Sequence, residues 1–204
     1  MLKRTSLTHV NEILKKNSNW KILDIGCGYR ANENATVIAD IQDLSSFYKE
    51  KKFIKINNKK LPFNDKEFDF VISSHVIEHV EDFEFFINEL ERISSKGYIE
   101  LPSRLGDNLV FENKKDHIWW FSFDDISNKL LSTKKNQLIE PFLTVSTAKY
   151  FEEIFYDSLL IQLYWEDKID YLIDDKIRKE DYRPTSFFKI IRKYFSKRIR
   201  NLIR

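Results

Sequence analysis

The sequence predicts an α/β fold built on a parallel sheet, and three observations predict it. Apolar runs of strand length alternate with helical apolar stripes as far as Ser103. The first of those runs ends in a turn holding two glycines, Gly26 and Gly28, in the stretch "KILDIGCGYRANENATVIAD". The chain also has 204 residues, 42% of them hydrophobic and 15% aromatic, enough for one complete core and a small appendage. Four Gly and four Pro exclude a disordered or collagen-like chain.

Taken in order, "TSLTHVNEILKK" predicts an opening helix, with a Ser or Thr cap and apolar residues at helical spacing. "WKILDIG" and "ATVIAD" are buried strands, separated by too few residues for a crossover helix. "DLSSFYKEK" reads as a short helix, "KFIKIN" as a third strand and "LPFNDKEFDFVISS" as a turn with a fourth. "VEDFEFFINELERIS" carries a strong helical stripe, and "KGYIELPS" is the fifth strand. From Arg104 the pattern loosens into a loop, "RLGDNLVFENKKDHIWWFS". "FDDISNKLL" and "TAKYFEEIFYD" read as helices, and "SLLIQLYWEDKIDYLIDD" as a two-stranded hairpin turning near Glu166–Asp167. There is no internal repeat and no low-complexity linker.

Composition narrows the functional classes. Cys27 is the only cysteine, which excludes an internal disulfide and a multi-cysteine metal site and suits a reducing cytoplasm. The first residues are too polar for a signal peptide, and no apolar run of about 18 residues exists, so a cytoplasmic protein is expected. The formal charge of +2 hides a split. Arg183 to Arg204 holds eight Lys or Arg and no Asp or Glu, which leaves 26 basic against 32 acidic residues, near −6, on residues 1–182. So acidic a body gives no nucleic-acid footprint, and no nucleic-acid partner is expected. Two units follow, a body over 1–182 and a basic C-terminal helix over 183–204.

In parallel α/β sheets ligands sit beyond the carboxyl ends of the strands, where the strand order reverses. That rule puts Gly26–Gly28, Asp40, Asn57, Ser73–His75 and Pro102–Ser103 along one rim. Gly26, Gly28 and Ala31 fit G-x-G-x-x-A, which a dinucleotide site permits. Against NAD(P), Asp24 sets a carboxylate near the pyrophosphate position, and the missing crossover helix removes the N-terminus that would hold it. S-adenosylmethionine reverses both preferences. Its ammonium and sulfonium are positive, the glycines let backbone approach the ligand, and Asp40 at a strand end can accept both ribose hydroxyls. A turn-capping Asp24 and an ordinary strand-end Asp40 are the plainer alternatives.

The chain resembles class I S-adenosylmethionine-dependent methyltransferases of type 11. "ILDIGCG" is similar to that family's first motif, and "LPFNDKEFDFVISSHVIEHVEDFEFFINELERIS" resembles its central region. The resemblance covers about Asn19 to Ser103 well and the rest in outline. It implies a Rossmann-like, mostly parallel seven-stranded sheet with an antiparallel last strand and helices on both faces. It also implies a cofactor site of Asp24, Gly26, Cys27, Gly28, Asp40, Asn57 and Ser73. Asn57 stands where the family has an adenine-binding aspartate, and its carbonyl oxygen can still accept from the adenine amine. The short link after Gly28 is similar to a subgroup whose first crossover helix is reduced to a loop.

Methyl transfer to a hydroxyl needs a proton removed, and histidine is the side chain poised near neutrality. His75 and His117 are the candidate bases, with His79 behind them and His9 on the opening helix expected to face solvent. Glu78, Asp116 or the acceptor itself are the alternatives. The i, i+4 spacing of His75 and His79 beside Glu78 invites a metal, with His117 or Asp116 as a third ligand from the loop. Without a fixed third partner, solvation or packing is favoured and no metal is expected. In "DHIWWFSFDD", Trp119, Trp120, Phe121 and Phe123 could stack on a sugar ring or fold back as a lid over the core. Similar H-x-W-W-F segments occur in methyltransferases encoded with bacterial surface-polysaccharide genes, which points to a saccharide or lipid-linked glycan acceptor. After Pro184, a helix start, large apolar residues from Phe187 to Leu202 share a face opposite Lys189, Lys193, Lys197, Arg200 and Arg204, with Arg198 the intruder. That pattern suits an anionic membrane surface for 184–204, at the inner membrane face, ahead of a partner helix or nucleic acid.

Overall fold

A strand with no polar face must be covered on both sides, and the central strands of this protein are buried at every residue. The structure, a computed structural model, describes residues 1–137, 139–173 and 186–202. Along the chain they form β1 (Leu2–Arg4), α1 (Leu7–Lys16), β2 (Ile22–Ile25), β3 (Val37–Asp40), β4 (Lys52–Lys55), β5 (Phe70–Ser74), a 3-10 turn (Ile77–His79), α2 (Phe83–Ile93) and β6 (Lys96–Pro102). Then follow α3 (Arg104–Leu109), α4 (Asn113–Asp116), β7 (Trp119–Asp124), β8 (Lys129–Lys134), α5 (Val145–Leu159), β9 (Leu160–Glu166), β10 (Tyr171–Ile173) and α6 (Phe187–Leu202).

Seven strands make the main sheet, in the order β1-β9-β6-β5-β2-β3-β4. From β6 to β4 every pairing is parallel, and β9 lies antiparallel between β6 and β1. After β1 at one edge, the chain enters the middle of this order at β2, winds first toward β4, then returns past β2 to β5, β6 and β9. The reversal between β2 and β5 is the switch point where ligands collect. Alternation along the strands separates two apolar layers. Leu23 and Ile25 face the layer that holds Phe83, Ile87 and Leu90 of α2, whereas Ile22 faces Val10 and Leu14 of α1. The helices accordingly cover both faces. Ser6 caps α1 by accepting from the His9 amide, and Asp82 caps α2 by accepting from that of Phe85.

The Rossmann-like arrangement is as expected, but four local readings change. "DLSSFYKEK" makes a single turn on the Leu44 carbonyl, because Asp43 accepts from both the amide and hydroxyl of Ser45 and so competes with a helix. "FDDISNKLL" is a hairpin and not a helix. Asp124 takes the Ile126 amide and the Ser127 hydroxyl, and Asn128 adopts φ 52°, so the chain reverses between β7 and β8. The loop expected from Arg104 contains α3, α4 and β7. The expected hairpin at Glu166 does not form either. Asp167 at φ 63° turns the chain away, β9 joins the main sheet, and β10 pairs in parallel with β8 in a three-stranded sheet. The expected helix start at Pro184 and residues 174–175 of that hairpin lie outside the described residues. No sequence pattern announced β1, whose Leu2 is 1% exposed opposite Trp165.

Trp119, Trp120, Phe121 and Phe123 are all buried in β7. Phe83 meets Trp119, Phe121 and Tyr171 edge to face, with ring centroids 4.7, 5.8 and 5.5 Å away. The lid reading holds here, and the sugar-stacking reading of these four rings does not, since none has a free face. In α6 every side chain described is exposed except Ile191, which is half-buried. No helix among the described residues is long and apolar enough to cross a membrane.

Candidate functional site

Gly26 sits at φ 71°, a left-handed conformation that opens the turn after β2. A Cβ there would come within 2.2 Å of Val76 Cγ2, so the backbone passes against the segment that follows β5 at a distance only glycine allows. The Gly26 amide donates to the Ala39 carbonyl at 2.7 Å, and the Gly28 amide donates to Asp40 Oδ2 at 2.9 Å. With no crossover helix, side chains supply the order of the loop. Asp24 Oδ2 accepts from the Asn32 amide at 2.7 Å. The Tyr48 hydroxyl accepts from the Ala31 amide and donates to the Gly28 carbonyl. Lys51 donates to the carbonyls of Asn32, Glu33 and Ala35. Neither Tyr48 nor Lys51 was foreseen, because both lie in the stretch misread as a helix.

A cavity of about 740 Å³ opens at the switch point. Gly26, Gly28, Asp40, His75 and His79 line it, and Asn58, Leu61 and Phe85 add further wall. The wall holds four acidic residues, Asp40, Glu81, Asp82 and Asp116, and one lysine, Lys59. Of the expected cofactor residues, Gly26, Gly28 and Asp40 reach the cavity. Asp24, Cys27 and Ser73 are buried behind it, and Asn57 is exposed beside it while Asn58 takes the wall position. Burial raises the Asp24 carboxyl to about 6, against the lowering pull of the Asn32 amide and Lys51. Burial, with Asp24 and Asp40 nearby, pushes the Cys27 thiol to about 12, so it is inert as a nucleophile. The Ser73 hydroxyl finds no hydrogen-bond partner among the described residues.

His75 is on the wall, but in a form other than the expected base. Its backbone takes φ 55°, and its ring lies with Nδ1 3.3 Å from Glu78 and Nε2 3.5 Å from Glu100. Burial opposes its charge, yet the two carboxylates outweigh burial and lift its pKa to about 10. At neutral pH it is an imidazolium with no lone pair to take a proton. Glu100 is held down at about 2 despite burial, by His75, the Tyr98 hydroxyl and Gln162.

His117 does not reach the cavity wall. It is 8% exposed, and its Nδ1 pairs with Asp107, which also accepts from Trp120 and from Lys135 Nζ at 2.8 Å. Where a free base was expected, its ring instead hydrogen-bonds the buried Asp107–Lys135 ion pair. His79 does line the cavity, and its Nδ1 donates to the Asp116 carbonyl at 2.9 Å. His9 is exposed on α1, as expected.

Residues 23–99 match the family described as a methyltransferase domain. A ubiquinone biosynthesis O-methyltransferase of Rickettsia bellii is 37% identical over 106 residues, 44% of this chain and 42% of that protein. An uncharacterized protein of Methanocaldococcus jannaschii is 32% identical over 153 residues, 70% of this chain and 65% of its own. The chain therefore spans less than two thirds of the curated relatives it matches. Among solved structures, an S-adenosylmethionine-dependent methyltransferase from Mesorhizobium loti superposes with a TM-score of 0.44 at 13% identity, over 77% of this chain and 96% of that one.

Proposed function

We propose, with the methyltransferase domain over residues 23–99 as premise, that this chain transfers a methyl group from S-adenosylmethionine to oxygen on a saccharide or lipid-linked glycan. The observation that carries the cofactor is the cavity wall. It is glycine-cradled, of a size for a nucleoside ligand, and lined by four carboxylates with no helix N-terminus behind the glycines. Such a wall attracts an ammonium and a sulfonium and repels a pyrophosphate. Gly26 and Gly28 would hold the methionine end, Asp40 the ribose hydroxyls, and Asn58 or Asn57 the adenine edge. Asp24 serves from behind by fixing Asn32. The cofactor's chemistry there is a methyl on a positively charged sulfur, already activated toward an oxygen nucleophile.

The imidazolium of His75 contributes positive charge to the wall and accepts no proton, so proton removal falls to other groups near Asp116 and His79. Glu81, Asp82 and Asp116 can accept from sugar hydroxyls, which supports the glycan acceptor together with the H-x-W-W-F resemblance. A small-molecule or lipid acceptor is the second reading, favoured by the relative named for ubiquinone biosynthesis. In either case residues 1–182 act as the enzyme, and the basic segment 183–204 holds it at an anionic inner membrane face. Calorimetry with S-adenosylhomocysteine and with NADP tests the cofactor, and tight NADP binding would sink it. Mass spectrometry of cell-surface glycans with and without the gene tests the acceptor through loss of one methyl group.

A further inference from the structure

We infer that Glu78, His79 and His117 form a binding site for a divalent transition-metal ion at the inner end of the cavity. One donor atom from each of the three lies within 4.8 Å of the other two. Around an ion with ligands at 2.0–2.1 Å such atoms would close to roughly 3.4 Å of one another.

Three independent observations point to a ligand there. The first is Glu78, which is 0% exposed with neither carboxylate oxygen hydrogen-bonded among the described residues. Its charged neighbour, His75 at 3.3 Å, is shared with Glu100 and leaves the other oxygen without a partner. A buried carboxylate in that condition is costly unless a cation completes it.

The second is the orientation of the two histidines. His79 Nδ1 donates to the Asp116 carbonyl, and His117 Nδ1 pairs with the Asp107 carboxylate. Each ring therefore keeps Nε2 for a ligand while a carbonyl or carboxylate fixes its tautomer, the arrangement that metal-binding histidines adopt. The rings stand edge to face at 90° with centroids 4.4 Å apart, which keeps the two imidazoles side by side at the site.

The third is how the backbone brings them together. The Ile118 amide donates to the Glu78 carbonyl at 2.8 Å, and Trp119 Nε1 donates to the Val80 carbonyl at 3.1 Å. These bonds tie the start of β7 to the 3-10 turn and bring His117 to Glu78 and His79 as the third ligand, in place of His75, which pairs with Glu78 and Glu100. Two imidazoles and one carboxylate suit Zn²⁺ or Mn²⁺ and leave positions open. His79 and Asp116 border the cavity, so an open position would face it. Binding of the ion does not depend on the methyltransferase reading. Its use does: under that reading the ion would polarise an acceptor hydroxyl at the cavity end that His79 and Asp116 border.

The test is calorimetric titration of Zn²⁺ into the full chain, tag-free and stripped by chelator, alongside Glu78→Gln, His79→Ala and the surface control His9→Ala. Expected is one ion per chain, with affinity at least tenfold weaker in Glu78→Gln and His79→Ala and unchanged in His9→Ala. Thermal melts should show Zn²⁺ raising Tm of the unsubstituted chain and not of His79→Ala. Absence of saturable binding, or equal binding in both site variants, overturns the site. Titration of S-adenosylhomocysteine into the same samples separates the two readings. Nucleoside binding without zinc removes the metal site alone, and zinc binding without nucleoside removes the methyltransferase reading alone.

Discussion

At the scale of the residue, Asp24 holds a carboxylate where burial resists its charge. Its pKa stands near 6 folded against an ordinary 3.8, so between those values the folded chain keeps a proton that the unfolded chain has lost. Stability from this group therefore falls as pH rises from about 4 to 6, and the whole penalty is present above that. Asp24→Asn keeps an oxygen for the Asn32 amide and removes the charge. It should stabilise the protein at pH 7.5 by at most about 3 kcal/mol, with no gain at pH 4, as read by thermal melts. The same variant should weaken S-adenosylhomocysteine, and Asp40→Ala more so, by roughly 1.5–3 kcal/mol in calorimetry, since Asp40 both lines the cavity and holds the Gly28 amide. His75 runs the other way. Its raised pKa gives stability that is full below 6.5 and lost as pH climbs through about 10, while that of Glu100 is present above 4.5 and lost as pH falls through about 2. The His75 ring should titrate near 10 by NMR and fall toward its ordinary value in Glu100→Gln; a native value near 6.5 would restore it as a base. Gly26→Ala combines a clash with Val76 and a left-handed backbone, and should cost the fold on the order of 1–3 kcal/mol and most nucleoside binding.

At the scale of the element, what the sequence could convey depended on whether a pattern was local. The stripe of α2, the Ser6 cap and the apolar runs of β2 and β3, each with one aspartate, are local signals, and each appears where the periodicity puts it. The same holds for the glycine turn and Asp40, because strand ends and φ > 0 positions are encoded in adjacent residues. The hairpin β7–β8 was misread because "FDDISNKLL" has apolar spacing compatible with a helix, and what decides it is the Asn128 turn and the pairing with β10. The site beyond the glycines was poorly legible for a related reason. That the Glu78 carboxylate is buried without a hydrogen bond among the described residues, that His117 is tied to Asp107, and that Lys51 staples three carbonyls all follow from contacts between distant segments. The helix α6 carries a prediction of its own. Phe188, Tyr194, Phe195 and Ile199 are all more than half exposed, and this apolar face can gain free energy only by leaving water. The full chain should co-sediment with anionic vesicles, at roughly 1 kcal/mol per Lys or Arg near the surface, and less as salt rises. A version ending at Asp181 should stay in solution with its cofactor affinity intact. Unfolding on that truncation would mean that the helix completes the core instead.

At the scale of the whole molecule, β1 closes one edge of the sheet. Leu2 is buried against Trp165, and the ladder runs to Arg4 opposite Leu163. Removing residues 2–4 would bare the edge of β9, a strand with Leu163 and Trp165 fully buried, and leave a template for pairing with other chains. Such a variant should aggregate on warming at a lower temperature than the unshortened chain, seen by light scattering, and equal behaviour would mean the edge is protected by other means. The same ladder has a consequence in time. During synthesis the first strand leaves the ribosome with no partner, because the residues it pairs with are about 160 positions away. At about 5–20 residues per second that is a wait of roughly 10–30 s, in which Leu2 stays wet and β2, β3, β4, β5 and β6 can assemble in parallel around the glycine turn. The strands that carry the glycine turn can thus pair before the edge is closed, and closing it waits for a strand made long after β1.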